Sequence, residues 1–105
     1  MMKGCEQMQL LRHLLNKTNI PWEDHSEVLR EDKELPMWIC RTWFEYKGIK
    51  WSVANGFGTY GGWFGANPGY TEEENMGLLE LYDWKSDPKG WLTAYDVMKE
   101  IEKNE

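Results

Sequence analysis

Cysteine and basic residues are both scarce in this sequence. Only Cys5 and Cys40 are present among 105 residues. Two cysteines are too few for a disulfide framework, and neither lies beside a predicted histidine as an activated nucleophile would. The 12 basic residues are outnumbered by 18 acidic ones, which gives a formal net charge of −6. Because binding of a nucleic acid duplex depends on clustered Lys and Arg, we expect no duplex DNA or RNA partner.

Long apolar runs and metal-ligand patterns are also missing. No run approaches the roughly 20 apolar residues that a membrane-spanning helix needs, and no leader precedes Gly4, so we expect a cytoplasmic protein without membrane contact. His13 and His25 have no Cys or His at metal-ligand spacing and are predicted to be plain surface histidines. The carboxylates of Glu72–Glu74 are typical of solvated charge. We therefore expect no metal, no cofactor and no enzymatic activity.

Aromatic residues and glycine are abundant instead. Aromatics make up 14% of the chain, and since each buried ring covers about 150–250 Å², a few of them can build one core. A chain of this length is expected to form a single domain, residues 1–105. Glycines and rings concentrate between Trp51 and Tyr70, where we expect any binding site to lie. The G-x-G-x-x-G match at Gly56–Gly61 is weak, because no helix is predicted to follow it.

Hydrophobic periodicity and capping signals predict an α+β fold. The fold is an antiparallel sheet of three or four strands, with an N-terminal and a C-terminal helix packed mainly on one face. The final helix is marked by a capping pair at Thr93 and Asp96. The predicted segments are a helix over Cys5–Asn16, an edge strand over Ile20–His25, a loop or short helix over Glu27–Glu34, a long strand over Gly77–Trp84, a turn over Lys85–Gly90 and a helix over Ala94–Lys103.

The clearest element is a hairpin of Met37–Tyr46 with Ile49–Ala54. The connecting Lys47-Gly48 suits a two-residue turn and fixes the register, which places Glu45 opposite Lys50. This register separates two faces, and a slip of one residue would scramble them. The predicted core face carries Trp38, Cys40, Thr42, Phe44, Tyr46, Ile49, Trp51 and Val53. The predicted opposite face carries Ile39, Arg41, Trp43, Glu45, Lys50 and Ser52.

The opposite face and the glycine loop that follows it combine features of a recognition site. Arginine offers a forked donor for phosphate or carboxylate, rings offer a stacking surface, and glycine amides offer neutral donors. The predicted ligand-binding residues are Arg41, Trp43, Lys50, Gly58, Thr59, Tyr60, Gly61, Gly62 and Trp63. The alternative is an ordinary solvent-exposed face with one salt pair, beside a loop whose rings only complete the core.

Three segments resemble, in content and order, small uncharacterised proteins encoded by phages and prophages. These segments are Trp51–Gly62, Gly77–Leu81 and Gly90–Ala94. The resemblance covers about half of the chain and carries over no functional residue. It implies an accessory protein that counters host defence and acts in the host cytoplasm.

Three functions are compatible with these features. The first is a non-enzymatic ligand-binding protein that sequesters a nucleotide-derived signal, using Tyr60, Trp63 and Arg41. The second is an acidic inhibitor that binds a host protein through exposed rings and carboxylates. The third is a phage structural or regulatory accessory domain. The expected partner is thus a small anionic ligand or a host protein. The sequence leaves open whether the protein forms a homo-oligomer.

Overall fold

The structure is a computed structural model that describes residues 6–30, 37–56, 59 and 78–103. Within these residues, one helix precedes six strands and a second helix follows them. The elements are α1 (Glu6–Lys17), β1 (Trp22–Asp24), β2 (Glu27–Arg30), β3 (Met37–Tyr46), β4 (Ile49–Gly56), β5 (Leu79–Tyr82), β6 (Lys89–Leu92) and α2 (Ala94–Lys103).

The strands form one antiparallel sheet in the order β1-β3-β4-β5-β6. β2 also pairs with β3, further along the same edge as β1, because Trp22 lies opposite Phe44 whereas Glu27 lies opposite Ile39. The six strands therefore occupy five positions across the sheet. The α+β class is confirmed, and the helices contact each other and the sheet. The sheet is larger than the three or four strands predicted.

The central β3–β4 hairpin has the predicted register. All six predicted opposite pairs are present, from Arg41 with Ala54 to Tyr46 with Ile49, and Glu45 lies opposite Lys50. Lys47 and Gly48 have φ values of 52° and 77°. Positive φ at both central residues is the type I′ turn, whose twist matches that of the flanking strands.

Three predicted segments differ from the structure. Glu27–Glu34 was predicted as a loop or short helix, but Glu27–Arg30 is a strand, since the free edge of β3 offers backbone partners that local composition does not reveal. The long strand predicted over Gly77–Trp84 is shorter, because Trp84 has a φ of 68° and leaves the strand conformation. The turn predicted over Lys85–Gly90 ends early, and Lys89 begins β6.

Both helices follow their sequence signals closely. α1 buries Met8, Leu11 and Leu15 as its periodicity predicts, and it ends before Asn19, whose φ of 59° is a left-handed cap conformation. In α2 the backbone N–H of Asp96 donates to Thr93 Oγ1 at 3.1 Å, and the Thr93 N–H donates to Asp96 Oδ2 at 3.1 Å. This reciprocal pair is the predicted capping box. No helix in the described ranges is long and apolar enough to cross a bilayer.

One core joins the two helices to the predicted core face of the hairpin. The core-face residues whose side chains are described are buried or packed against the core, and β5 adds Leu79 and Leu81. The helices contribute Met8, Leu11 and Leu15 from α1 and Ala94, Val97 and Ile101 from α2. Cys40 is buried in this core, as expected.

Arg12 ties α1 to the β1–β3 edge of the sheet. Its Nε donates to Thr42 Oγ1 at 2.8 Å, and Thr42 is fully buried. Its Nη2 donates to Asp24 Oδ1 and to the Arg41 carbonyl, both at 3.1 Å. The guanidinium carbon lies 4.7 Å from the centre of the Trp22 ring. One side chain thus holds a helix and two strands together.

Candidate functional site

The outer face of β3 and β4 carries the predicted recognition side chains that the structure describes on these strands. Arg41 and Trp43 alternate with the buried Thr42 and are half-buried, whereas Lys50 is exposed. Of the clefts that the described residues form, we consider two that lie over this face, and we name them the Arg41 cleft and the Lys50 cleft. The first has a volume of about 290 Å³ and the second about 470 Å³.

The two clefts share a wall of two tryptophans. Trp43 and Trp84 line both of them. The other described residues that line the Arg41 cleft are Ile39, Arg41, Ser52, Ala54, Thr59, Glu80 and Tyr82. Those that line the Lys50 cleft are Pro21, Glu23, Phe44, Glu45, Lys50 and Trp51. The two clefts lie side by side on the face of the sheet that is opposite the helices, and we call the pair the outer groove.

The structure brings three predicted site residues, Arg41, Trp43 and Thr59, into one cleft, with Lys50 in the neighbouring cleft. Thr59 is buried, and its hydroxyl donates to the Gly56 carbonyl at 2.7 Å, which fixes the residue at the end of β4. The other predicted site residues lie outside the described residues. They are Gly58, Tyr60, Gly61, Gly62 and Trp63.

Arg41 is partly engaged by its own protein. Its Nη1 donates to Glu27 Oε2 at 3.1 Å and to the His25 carbonyl at 3.4 Å. Glu27 belongs to β2, the strand that the sequence did not predict. Within the described ranges, Nε and Nη2 of Arg41 have no hydrogen-bond partner. The ion pair therefore orients the guanidinium and leaves part of its donor fork for a ligand.

His25 has a different role from the one predicted. Instead of being a plain surface residue, it stacks on Trp43 with ring centres 3.7 Å apart and planes 19° apart. Its Nε2 lies 3.3 Å from Glu23 Oε1. His25 therefore covers one face of Trp43, and the sequence carried no signal of this contact because it depends on the pairing of β1 with β3.

Trp84 is the groove residue that sequence analysis missed. It packs edge-on against Trp43 with ring centres 5.3 Å apart and planes 89° apart, and it is 47% exposed. Its φ of 68° lies in the left-handed region, which costs a bulky residue about 1–2 kcal/mol. The sequence predicted a strand through this position, and only the pairing of β5 with β4 brings the ring over Trp43.

The turn that presents Trp84 is held by its neighbour Asp83. Asp83 Oδ1 accepts hydrogen bonds from the backbone N–H of Ser86 at 2.8 Å and of Lys85 at 3.0 Å. These N–H groups lower the pKa of Asp83, the Ser86 N–H having the larger effect. The carboxylate thus locks the backbone directly after Trp84, so the strained conformation belongs to an ordered turn.

Charges in the outer groove are mixed. Among the described lining residues, Arg41 and Lys50 are the cations, and the carboxylates of Glu23, Glu45 and Glu80 also line the clefts. Although Glu45 and Lys50 are register partners, neither forms an ion pair within the part of the chain that the structure describes. The Lys50 ammonium therefore has no competing internal partner there. The groove suits a ligand that combines limited negative charge with hydrogen-bond donors.

No protein-family model, curated protein or solved structure matches this chain significantly. The interpretation of the site therefore depends on its own geometry and chemistry.

Proposed function

We propose that this protein is a non-enzymatic binding protein that holds a small, flat, anionic ligand in the outer groove. The observation that carries this proposal is the wall of Trp43 and Trp84, flanked by Arg41 on one side and Lys50 on the other. Ligand sites typically occupy about 300–1,000 Å³ and combine apolar walls with a few placed polar groups. The outer groove meets both requirements.

A nucleotide-derived signal fits this chemistry well. A base supplies a flat surface that packs against aromatic rings, and its N–H groups can donate to the carboxylates of the groove. A phosphate oxygen can accept from the free donors of Arg41. In the phage context that the sequence resembles, a protein that holds such a signal would act by sequestering it in the host cytoplasm.

Calorimetric titration with nucleotides tests this proposal. Purified protein is first incubated with a nucleotide extract of bacterial cells, and the ligands released by denaturation are identified by mass spectrometry. We expect Arg41→Ala to weaken binding of a captured nucleotide by roughly 10- to 150-fold, as for the loss of a charge-assisted hydrogen bond. The loss should decrease as salt increases.

The matched control is Lys89→Ala. Lys89 also forms an ion pair, with Glu100 at 2.7 Å, but it does not line the outer groove. This variant should bind like the wild type. The proposal is wrong if the wild-type protein captures no nucleotide and releases no heat with any of them.

Exposed rings outside the groove favour the protein-binding alternative. Tyr95 is 58% exposed and Trp91 is 37% exposed, and they lie four residues apart where β6 meets α2. Aromatic residues of this kind often anchor interfaces. If the double variant Trp91→Ala, Tyr95→Ala lost a host partner while nucleotide titrations stayed silent, the inhibitor function would be favoured.

A further inference from the structure

We propose that the outer groove accepts a two-part ligand of the dinucleotide class, with one nucleotide in each cleft and Trp84 between them. This inference rests on the proposed function and specifies its ligand. It is carried by two features, the presence of one cation on each side of the shared wall of Trp43 and Trp84, and the strained backbone of Trp84.

The spacing of the groove residues fits two connected units. Arg41, Trp43 and Glu45 succeed each other on the same face of β3, and Lys50 lies opposite Glu45. At about 3.3 Å per residue, the two cations are separated by roughly 13 Å along the strand, with Trp43 midway between them. A single nucleotide held at Arg41 fills only the Arg41 cleft and leaves Lys50 without an anion.

The charge of each cleft limits the charge of each ligand part. The described lining of the Arg41 cleft has one cation, Arg41, which is already paired with Glu27. The described lining of the Lys50 cleft has one cation, Lys50, beside Glu23 and Glu45. A triphosphate would concentrate several negative charges beside these carboxylates in one cleft, whereas two connected nucleotides place one phosphate near each cation. Base N–H donors can then meet the carboxylates.

The backbone of Trp84 indicates that its ring is retained for binding. Glycine or asparagine would occupy a φ of 68° with less strain than tryptophan does. Strained residues concentrate at binding sites, where the surrounding structure enforces them. Here the Asp83 turn enforces the conformation, and the result is a half-exposed ring placed edge-on over Trp43 at the boundary of the two clefts.

The test compares AMP and GMP with the linear dinucleotides pApA and pGpG, and with ATP, by calorimetry on the full chain. We expect at least one dinucleotide to bind at least about 10-fold more tightly than its mononucleotide, since the second base adds its own stacking contact. ATP should bind no more tightly than AMP. Lys50→Ala should weaken the dinucleotide by a larger factor than the mononucleotide, while Lys99→Ala, an equal charge change at an exposed site on α2, should affect neither.

Two variants at Trp84 distinguish the contribution of its ring to binding from the effect of its strained backbone on stability. Trp84→Ala removes the ring and keeps the strain of a side chain at positive φ, whereas Trp84→Gly removes both. Both should weaken dinucleotide binding, by roughly 5- to 150-fold for a lost stacking contact. Trp84→Gly should unfold at a higher urea concentration than Trp84→Ala. Trp91→Gly serves as the control, because Trp91 also has a positive φ, 56°, but does not line the groove.

The outcomes distinguish failure of the two-part ligand from failure of the proposed function. Equal affinity for mononucleotide and dinucleotide, or full dinucleotide affinity in Trp84→Gly, would overturn the two-part ligand and leave nucleotide binding intact. Binding of ATP in preference to both dinucleotides would overturn the charge argument in the same way. If none of the five compounds released heat of binding, both the proposed function and this inference would be contradicted.

Discussion

Replacing Arg12 by alanine should lower the free energy of unfolding by about 2–5 kcal/mol, mainly through the loss of one part-buried hydrogen bond. Hydrogen bonds from a charged group contribute about 1.5–3 kcal/mol, and the Nε donor of Arg12 meets a fully buried hydroxyl on Thr42. The ion pair with the half-exposed Asp24 adds at most about 1 kcal/mol. The contact with the Trp22 ring adds about 0.5–1 kcal/mol.

Urea unfolding of the wild type, Arg12→Ala and Arg12→Lys measures this contribution. Lysine keeps the charge but cannot reach Thr42, Asp24 and the Arg41 carbonyl at once, so Arg12→Lys should recover less than half of the loss. Thr42→Val serves as the partner variant in a double-mutant cycle, and the coupling between the two positions should exceed about 1 kcal/mol. A loss below about 1 kcal/mol in Arg12→Ala, or full recovery by lysine, would refute the reasoning.

Two further predictions concern the stability of the core and the decrease of stability at acidic pH. Trp51→Ala should cost about 3–5 kcal/mol by denaturant unfolding, because Trp51 is 3% exposed in the core, and half-buried Trp43→Ala should cost clearly less; equal losses would show that both sheet faces are buried alike. The Ser26 hydroxyl and N–H, with a smaller contribution from Arg12, lower the pKa of Asp24 from 3.8. Because the pKa of Asp24 is lower in the folded state than in the unfolded state, the ionised carboxylate stabilises the folded protein above pH 3.8. This stabilisation is lost as the pH falls through the pKa that Asp24 has in the folded state. Asp24→Asn should therefore lose less stability than the wild type between pH 6 and pH 3, and parallel pH profiles would contradict this.

The sequence was sufficient for the elements whose signals are local. The hairpin register follows from Lys47-Gly48 and from the separation of two faces, and the start of α2 follows from the pairing of Thr93 with Asp96. Each of these signals lies within a few residues of the element that it specifies. Local chemistry and the final fold agree there, so the predictions were correct.

The remaining elements depend on contacts between distant segments. β2 is charged and becomes a strand only because β3 offers it an edge, and that pairing places Glu27 beside Arg41. His25 follows β1 and Trp84 follows β5, and these two strands flank the β3–β4 hairpin on opposite sides. Both rings contact Trp43 because of this strand order. Trp84 moreover adopts a backbone conformation that tryptophan disfavours. No pattern in the chain could place these two rings at the site.

β3 also determines where the chain can change length. It pairs with β4 along one edge and with β1 and β2 along the other. A residue inserted within β3 would reverse the facing of every later side chain in the strand, against three neighbours at once. It would move Arg41 and Trp43 into the core or withdraw Phe44 from it. Single-residue insertions and deletions should therefore be tolerated less well in β3 than in the segments that connect the strands.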